Sequence, residues 1–117
     1  MPDPVIDPTT FQNLIAGTDS AFVKELIDTF LDDAPTMLND LRQSLAEKNA
    51  EVFRRAAHSL KSNGASFGAL QLAAQAKDLE LLGKTGDLAQ VGDKLTVLTT
   101  EFDRVKVALR AWQHGSK

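Results

Sequence analysis

The 117-residue sequence contains no cysteine and no tyrosine. Without cysteine there are no disulfide bonds, thiolate metal sites or cysteine nucleophiles, and the composition fits a reducing compartment. All four prolines lie in the first 35 residues, so no proline interrupts a helix in the rest of the chain. The sequence also lacks an apolar run long enough to cross a bilayer and an N-terminal signal pattern. We therefore expect a single-domain cytoplasmic protein that does not contact a membrane.

Acidic residues are missing from one internal stretch. Between Val52 and Lys77 there is no Asp or Glu, and the stretch includes Arg54, Arg55 and Lys61. Its formal charge is +4 with histidine neutral; the whole chain carries −3, so the remainder carries −7. The acidic total, and the absence of exposed aromatics between these cations, argue against nucleic-acid binding. The basic stretch requires another explanation.

The abundant residues favour helices. Fifteen alanines and sixteen leucines outnumber the ten valines and isoleucines, which is typical of helical proteins. Apolar residues recur every three or four positions in four long segments joined by short turns. We predict an all-α fold, an antiparallel up-down-up-down four-helix bundle with a short N-terminal helix across one end. The domain is predicted to span 1–117, with a flexible lead-in over 1–7 and a frayed tail over 113–117.

Capping residues and turns predict where the helices begin and end. Asp7 starts the short first helix, and one of the polar residues at 18–20 caps the second. The apolar stripe of the second helix continues past Pro35, so we expect a kink there and not a break. Asn49 is predicted to cap the third helix, and Asp87 the last.

The predicted turns on either side of the fourth helix complete this arrangement. The third helix is predicted to run to about Gly64 and the fourth from Ala69 to Leu82, with a turn over 83–86.

One histidine is predicted to face away from the core. On a helical wheel of the third helix, His58 lies about 140° from Phe53, which is on the apolar face. The residues one turn away from the histidine are Arg54, Arg55, Lys61 and Ser62. An exposed neutral imidazole is a nucleophile, and cations beside it would stabilise a phosphoryl group placed on it. No Walker or glycine-rich nucleotide motif is present, so partner proteins must supply and remove the phosphate.

A glutamate on the fourth helix is a candidate partner of His58. If the turn between the third and fourth helices centres near Ala69, Glu80 lies level with His58, and Lys61 with Lys77. A carboxylate at that position could accept an N–H bond from the imidazole, fix its tautomer and leave the other nitrogen free. Glu80 could equally be an ordinary solvated residue. No metal site is expected, since the two histidines are far apart in the sequence.

The segment AHSLKSNG over 57–64, followed by Gly68 and Glu80, resembles the histidine-containing phosphotransfer (HPt) domain family. The resemblance covers nearly the whole chain. It implies that His58 accepts a phosphoryl group from a receiver-domain aspartate and passes it to another receiver. It further implies that Lys61 contacts the phosphoryl group and that Glu80 orients the imidazole.

The resemblance also implies the partners, which are receiver domains of response regulators or a hybrid histidine kinase. The chain is expected to be a monomeric carrier without its own ATP site and not an enzyme, with no bound cofactor, the receiver bringing Mg²⁺. Predicted binding residues are Arg54, Arg55, Ser62, Gly64 and Gly68. Ser62 stands where family members commonly have glycine, but serine is small and Gly64 follows, so a partner is expected to approach closely.

Two other functions remain open from the sequence. A helical adaptor would bind a receiver or another signalling protein without accepting phosphate. An autokinase would label itself from ATP, which the missing nucleotide motif argues against.

Overall fold

The computed structural model describes residues 5–115 and is helical, with no strand among these residues. The five α-helices are α1 (Pro8–Ala16), α2 (Ser20–Glu47), α3 (Ala50–Ser66), α4 (Leu70–Thr85) and α5 (Lys94–Gly115). A short 3₁₀ helix, Leu88–Gln90, lies between α4 and α5. Within the described residues, no helix combines the length and apolar character that a membrane-spanning segment requires. The predicted all-α class is confirmed.

The four long helices form the predicted bundle. Contacts join α2 to α3, α3 to α4, α4 to α5, and α5 back to α2, which closes a ring of four antiparallel neighbours. Helix α1 lies across the end at which α3 turns into α4. There the N–H of Asp7 donates to the carbonyl of Gly68 (2.7 Å), and Phe11 packs edge-to-face against Trp112.

Side-chain caps fix the first turns of three helices. Asp7 accepts from the N–H of Thr10 at the start of α1, and Asp19 accepts from the N–H of Phe22 at the start of α2. Asn49 caps α3 by accepting from the N–H of Val52. Each cap satisfies one of the backbone donors that a helix leaves free at its N-terminus. The predictions of Asp7 and Asn49 as caps are confirmed, and Asp19 is the cap among residues 18–20.

Two predicted boundaries are wrong. The last helix begins at Lys94, because Gly92 adopts a positive φ of 51° that interrupts the helix; Asp87 instead precedes the 3₁₀ helix. Helix α4 continues through Gly83 to Thr85 and ends at Gly86 (φ 80°), so the turn is shorter than predicted. By contrast, α2 passes Pro35 without a break, as expected.

Parts of the predicted lead-in and tail make contacts with the bundle. Val5 and Ile6 pack against the core, and Asp7 caps α1. At the other end, Gln113 lies within α5 and its amide donates to the carbonyl of Lys24 (3.0 Å). Residues 5–7 and 113–115 are therefore part of the fold; the remaining positions of both segments lie outside the described residues.

The core is built from the apolar stripes that the periodicity indicated. Among the fully buried large side chains are Ile27 and Leu41 of α2, Phe53 of α3, Leu79 of α4 and Leu98 of α5. Every long helix thus contributes one apolar face, and burial of these faces supplies most of the stabilisation. The third helix is thereby held with its polar face outward.

We expect Leu98→Ala to lower the free energy of unfolding by about 2–5 kcal/mol, because it removes a fully buried side chain and leaves a cavity. Val97→Ala is the matched control, since Val97 is the preceding residue of α5 and is 48% exposed. Its effect should stay within about 0.5 kcal/mol. Urea denaturation of both variants measures the difference, and equal losses would contradict the assigned faces of α5.

Candidate functional site

His58 lies on the outward face of α3. The buried residues of this helix include Phe53, Ala57 and Leu60, so the core fixes its rotation about its own axis. The His58 side chain is 55% exposed as a result. The predicted outward orientation of this histidine is confirmed.

Glu80 of α4 faces His58 across the hairpin. Nδ1 of the imidazole lies 2.6 Å from Oε2 of Glu80. An ionised carboxylate only accepts hydrogen bonds, so this contact requires a proton on Nδ1, and in the neutral ring the lone pair is then on Nε2. The Glu80 side chain is 17% exposed, which is less than an ordinary solvated glutamate at a helix surface would be. The structure therefore supports the first of the two interpretations of Glu80, an imidazole partner.

Lys61 contacts the same carboxylate. Its Nζ donates to Oε1 of Glu80 at 2.6 Å, so the two oxygens of one side chain hold a histidine and a lysine. The residue positions counted from the turn between α3 and α4 predict that Lys61 lies level with Lys77. The long lysine side chain instead reaches along α3 by about one turn to Glu80, a contact that counting backbone positions does not capture.

The pKa of Glu80 lies below its ordinary value of 4.5. The hydrogen bond from Lys61 is the largest cause, burial opposes it, and the hydrogen bond with His58 adds to the lowering. A carboxyl whose pKa is lower in the folded than in the unfolded state stabilises the fold above the unfolded value. That contribution is lost as the pH falls through the folded pKa. At neutral pH the carboxylate is ionised and accepts from both neighbours.

The two arginines before His58 are paired with a carboxylate. Glu51 accepts from Arg54 (2.6 Å) and from Arg55 (3.1 Å), which together lower the pKa of Glu51 to about 2. Glu51 lies one turn before both arginines and offsets part of the positive charge that they place beside the histidine. Exposed ion pairs of this kind are weak and are readily exchanged for another anion.

Two of the predicted binding residues are buried, which corrects their assignment. Gly64 packs against α4 near Leu72, and Gly68 adopts a φ of 81° in the turn beside Asp7. Both glycines serve the fold, so neither is available to a partner. Ser62 is exposed on α3, and its role as a binding residue stays a prediction.

Replacing Lys61 with alanine should raise the pKa of Glu80 towards 4.5, because the largest cause of its lowering is removed. His58→Ala should raise the pKa by less, since the hydrogen bond with His58 contributes less than that from Lys61. A carbon-13 NMR titration of the carboxyl group measures both shifts. Lys77→Ala is the control and should leave the value unchanged; a larger shift for the His58 variant than for the Lys61 variant would contradict the assignment.

Comparison with known proteins finds similarity to a phosphorelay protein and to a histidine-containing phosphotransfer protein. The chain is 25% identical over 108 residues to the phosphorelay protein LuxU of Vibrio harveyi, which covers 92% of this chain and 95% of LuxU. Its structure is similar to the crystal structure of histidine-containing phosphotransfer protein B (HptB) from Pseudomonas aeruginosa PAO1. That match has a TM-score of 0.90 and 25% identity, and it covers 99% of this chain and 100% of HptB.

A family match completes the comparison. The profile of the Hpt domain matches residues 25–108, which include α3, α4 and nearly all of α2. The match covers well over half of the chain and contains His58, Lys61 and Glu80. The chain therefore belongs to the Hpt domain family, whose members perform histidine phosphotransfer in phosphorelays.

Proposed function

We propose that His58 is the phosphoryl acceptor of this chain, and that it receives the group from a receiver-domain aspartate and passes it to another receiver. The observation that carries this proposal is the hydrogen bond of Nδ1 to Glu80 at 2.6 Å on an exposed face of the bundle. In the neutral ring it leaves the lone pair on Nε2, which a nucleophile requires, and the side chain is 55% exposed.

The transfer step follows from that protonation state. The Nε2 lone pair attacks phosphorus, an N–P bond forms, and the P–O bond to the aspartyl carboxylate breaks with its electrons on oxygen. The Nδ1 proton stays on the ring, which becomes cationic, and the carboxylate of Glu80 stabilises that charge. Return to a second receiver is the same step in reverse, and neither direction needs a proton from water.

Lys61 is the proposed electrostatic partner of the phosphoryl group. Its ammonium has three donors, of which one is used on Glu80, so the others are available to a phosphoryl oxygen next to the ring. Arg54 and Arg55 are proposed to attract the anionic partner site from further away, with Ser62 at the contact surface. Their weak pairs with Glu51 allow this exchange.

The chain is proposed to act as a monomeric cytoplasmic carrier that depends on its partners for chemistry. We assign Mg²⁺ and the phosphoryl donor to the receiver, and residues 5–115 contain no group of three or more acidic, histidine or cysteine side chains suited to a metal. Neither a nucleotide site of its own nor nucleic-acid or membrane binding is part of the proposal. Receiver domains of response regulators, or of a hybrid histidine kinase, are the proposed partners.

The direct test is incubation with a receiver domain phosphorylated on its aspartate. Wild-type protein should gain an acid-labile, base-stable label, and His58→Gln should gain none. His114→Gln is the matched control, because it removes the other histidine, an exposed residue of α5, and should label like wild type. Equal labelling of His58→Gln and wild type would exclude His58 as the acceptor.

Receiver affinity and labelling from ATP, measured on the same variants, separate the two alternative functions. An adaptor that binds a receiver without accepting phosphate would show equal receiver affinity for wild type and His58→Gln and no label in either. Label transferred from ATP without any other protein would identify an autokinase.

Lys61→Ala should slow transfer at least about tenfold, which corresponds to ~1.4 kcal/mol of transition-state stabilisation. The loss of its ion pair with Glu80 should lower the melting temperature only slightly, because Lys61 lies off the core face of α3. Lys106→Ala removes an exposed lysine of α5 and is the control for net charge. Rapid-quench transfer rates and thermal melts measure the two effects, and a proportional loss of both would show that Lys61 is structural.

A further inference from the structure

Gly83 lies inside α4, one turn after Glu80, and is buried. A Cβ added at this position would lie 3.0 Å from each of three atoms of Arg54, namely N, Cα and Cβ. Two of these are backbone atoms of α3 and cannot rotate away. The backbones of α3 and α4 therefore meet here with no side chain of α4 between them.

This contact lies next to the candidate site on both helices. Arg54 is four residues, or about one turn, before His58, and Gly83 is three residues after Glu80. Helices are stiff over one turn, so the spacing at Gly83 sets the distance across which Glu80 must reach. Both hydrogen bonds to Glu80 are short, at 2.6 Å, and the strength of such bonds depends on their angle as well as on their length.

We propose that Gly83 is a positioning residue for phosphotransfer. Its missing side chain lets α3 and α4 approach closely enough for Glu80 to hold the imidazole of His58 and the ammonium of Lys61 at the same time. An alanine would push the helices apart by a few tenths of an ångström. Glu80 could then not hold both partners at their present lengths and angles, and the imidazole would be held less strongly in one tautomer. The proposal rests on the function proposed for His58.

Another glycine of the same helix pair provides a matched control. Gly64 of α3 is also buried against α4, but a Cβ there would meet its nearest atom, Cδ2 of Leu72, at 3.5 Å. That distance is an ordinary van der Waals contact. Gly64→Ala therefore adds the same methyl group to the same interface without separating the helices.

The first measurement is nitrogen-15 NMR of the His58 ring, which reports the tautomer without any phosphate or partner. Wild type and Gly64→Ala should show the proton fixed on Nδ1, and Gly83→Ala should show a mixture of tautomers. Transfer from a phosphorylated receiver should be about tenfold or more slower in Gly83→Ala alone, since small displacements of reacting groups are costly. A fixed Nδ1–H tautomer in folded Gly83→Ala would overturn the proposal.

A double-mutant cycle separates positioning from general destabilisation. If Gly83 acts through Glu80, then Gly83→Ala should change the transfer rate less than twofold in a Glu80→Ala background. A full tenfold loss in that background would show that Gly83 acts by another route. All variants are compared in sucrose, which favours the folded state, at a temperature where circular dichroism shows them helical.

Glu80→Asp tests whether the reach of the Glu80 side chain fixes the tautomer, and it leaves the contact between α3 and α4 at Gly83 unchanged. This variant replaces Gly83→Ala if that protein does not fold. The shorter side chain loses reach while α3 and α4 keep their spacing. We expect mixed tautomers and slowed transfer, and wild-type behaviour would overturn the proposal. Failure of the proposed function is distinguishable, because wild type would then take no label while the tautomer measurements still report on Gly83.

Discussion

The carboxylate of Glu80 is the interaction on which the site depends. One oxygen accepts a hydrogen bond from Nδ1 of His58 and the other accepts from the ammonium of Lys61, each at 2.6 Å. These three side chains come from two helices, so their meeting requires α3 and α4 to be in register and closely spaced. The buried stripes of the bundle provide the register, and the glycine contact at Gly83 provides the spacing.

The charged residues around His58 form two groups that differ in solvent exposure. Glu80 is largely shielded from solvent and holds its partners where their electrostatic effect is least screened. Glu51 and its two arginines are more exposed, so water and salt weaken their attraction and leave them exchangeable. The net charge of the basic stretch does not show this difference. Lys61 is held at a fixed position by Glu80, whereas Arg54 and Arg55 form an exposed surface whose ion pairs can exchange.

Sequence reasoning predicted the parts that follow from periodicity. The apolar faces follow from that periodicity, and the caps at Asp7 and Asn49 follow from the residue types at the helix starts. Positions counted along the hairpin made Glu80 a candidate partner of His58, and the contact distance supports that interpretation. Contacts made by long side chains were missed, because the reach of Lys61 to Glu80 is set by rotamers and not by residue number. The role of Gly83 was missed for a related reason, since a glycine near the end of a helix is most often a cap and only the packing shows otherwise.

The hydrogen bond between His58 and Glu80 also dictates the line along which a partner must arrive. The two ring nitrogens point in different directions, so with Nδ1 turned towards Glu80 of α4 the lone pair of Nε2 in the neutral ring points away from that carboxylate. Phosphoryl transfer requires the attacking and departing atoms to be roughly in line through phosphorus. In the transfer proposed for His58, the aspartyl oxygen of a receiver therefore lies on the extension of that lone pair. A rotation of α4 would therefore change both the hydrogen bond between His58 and Glu80 and the direction from which a partner must approach.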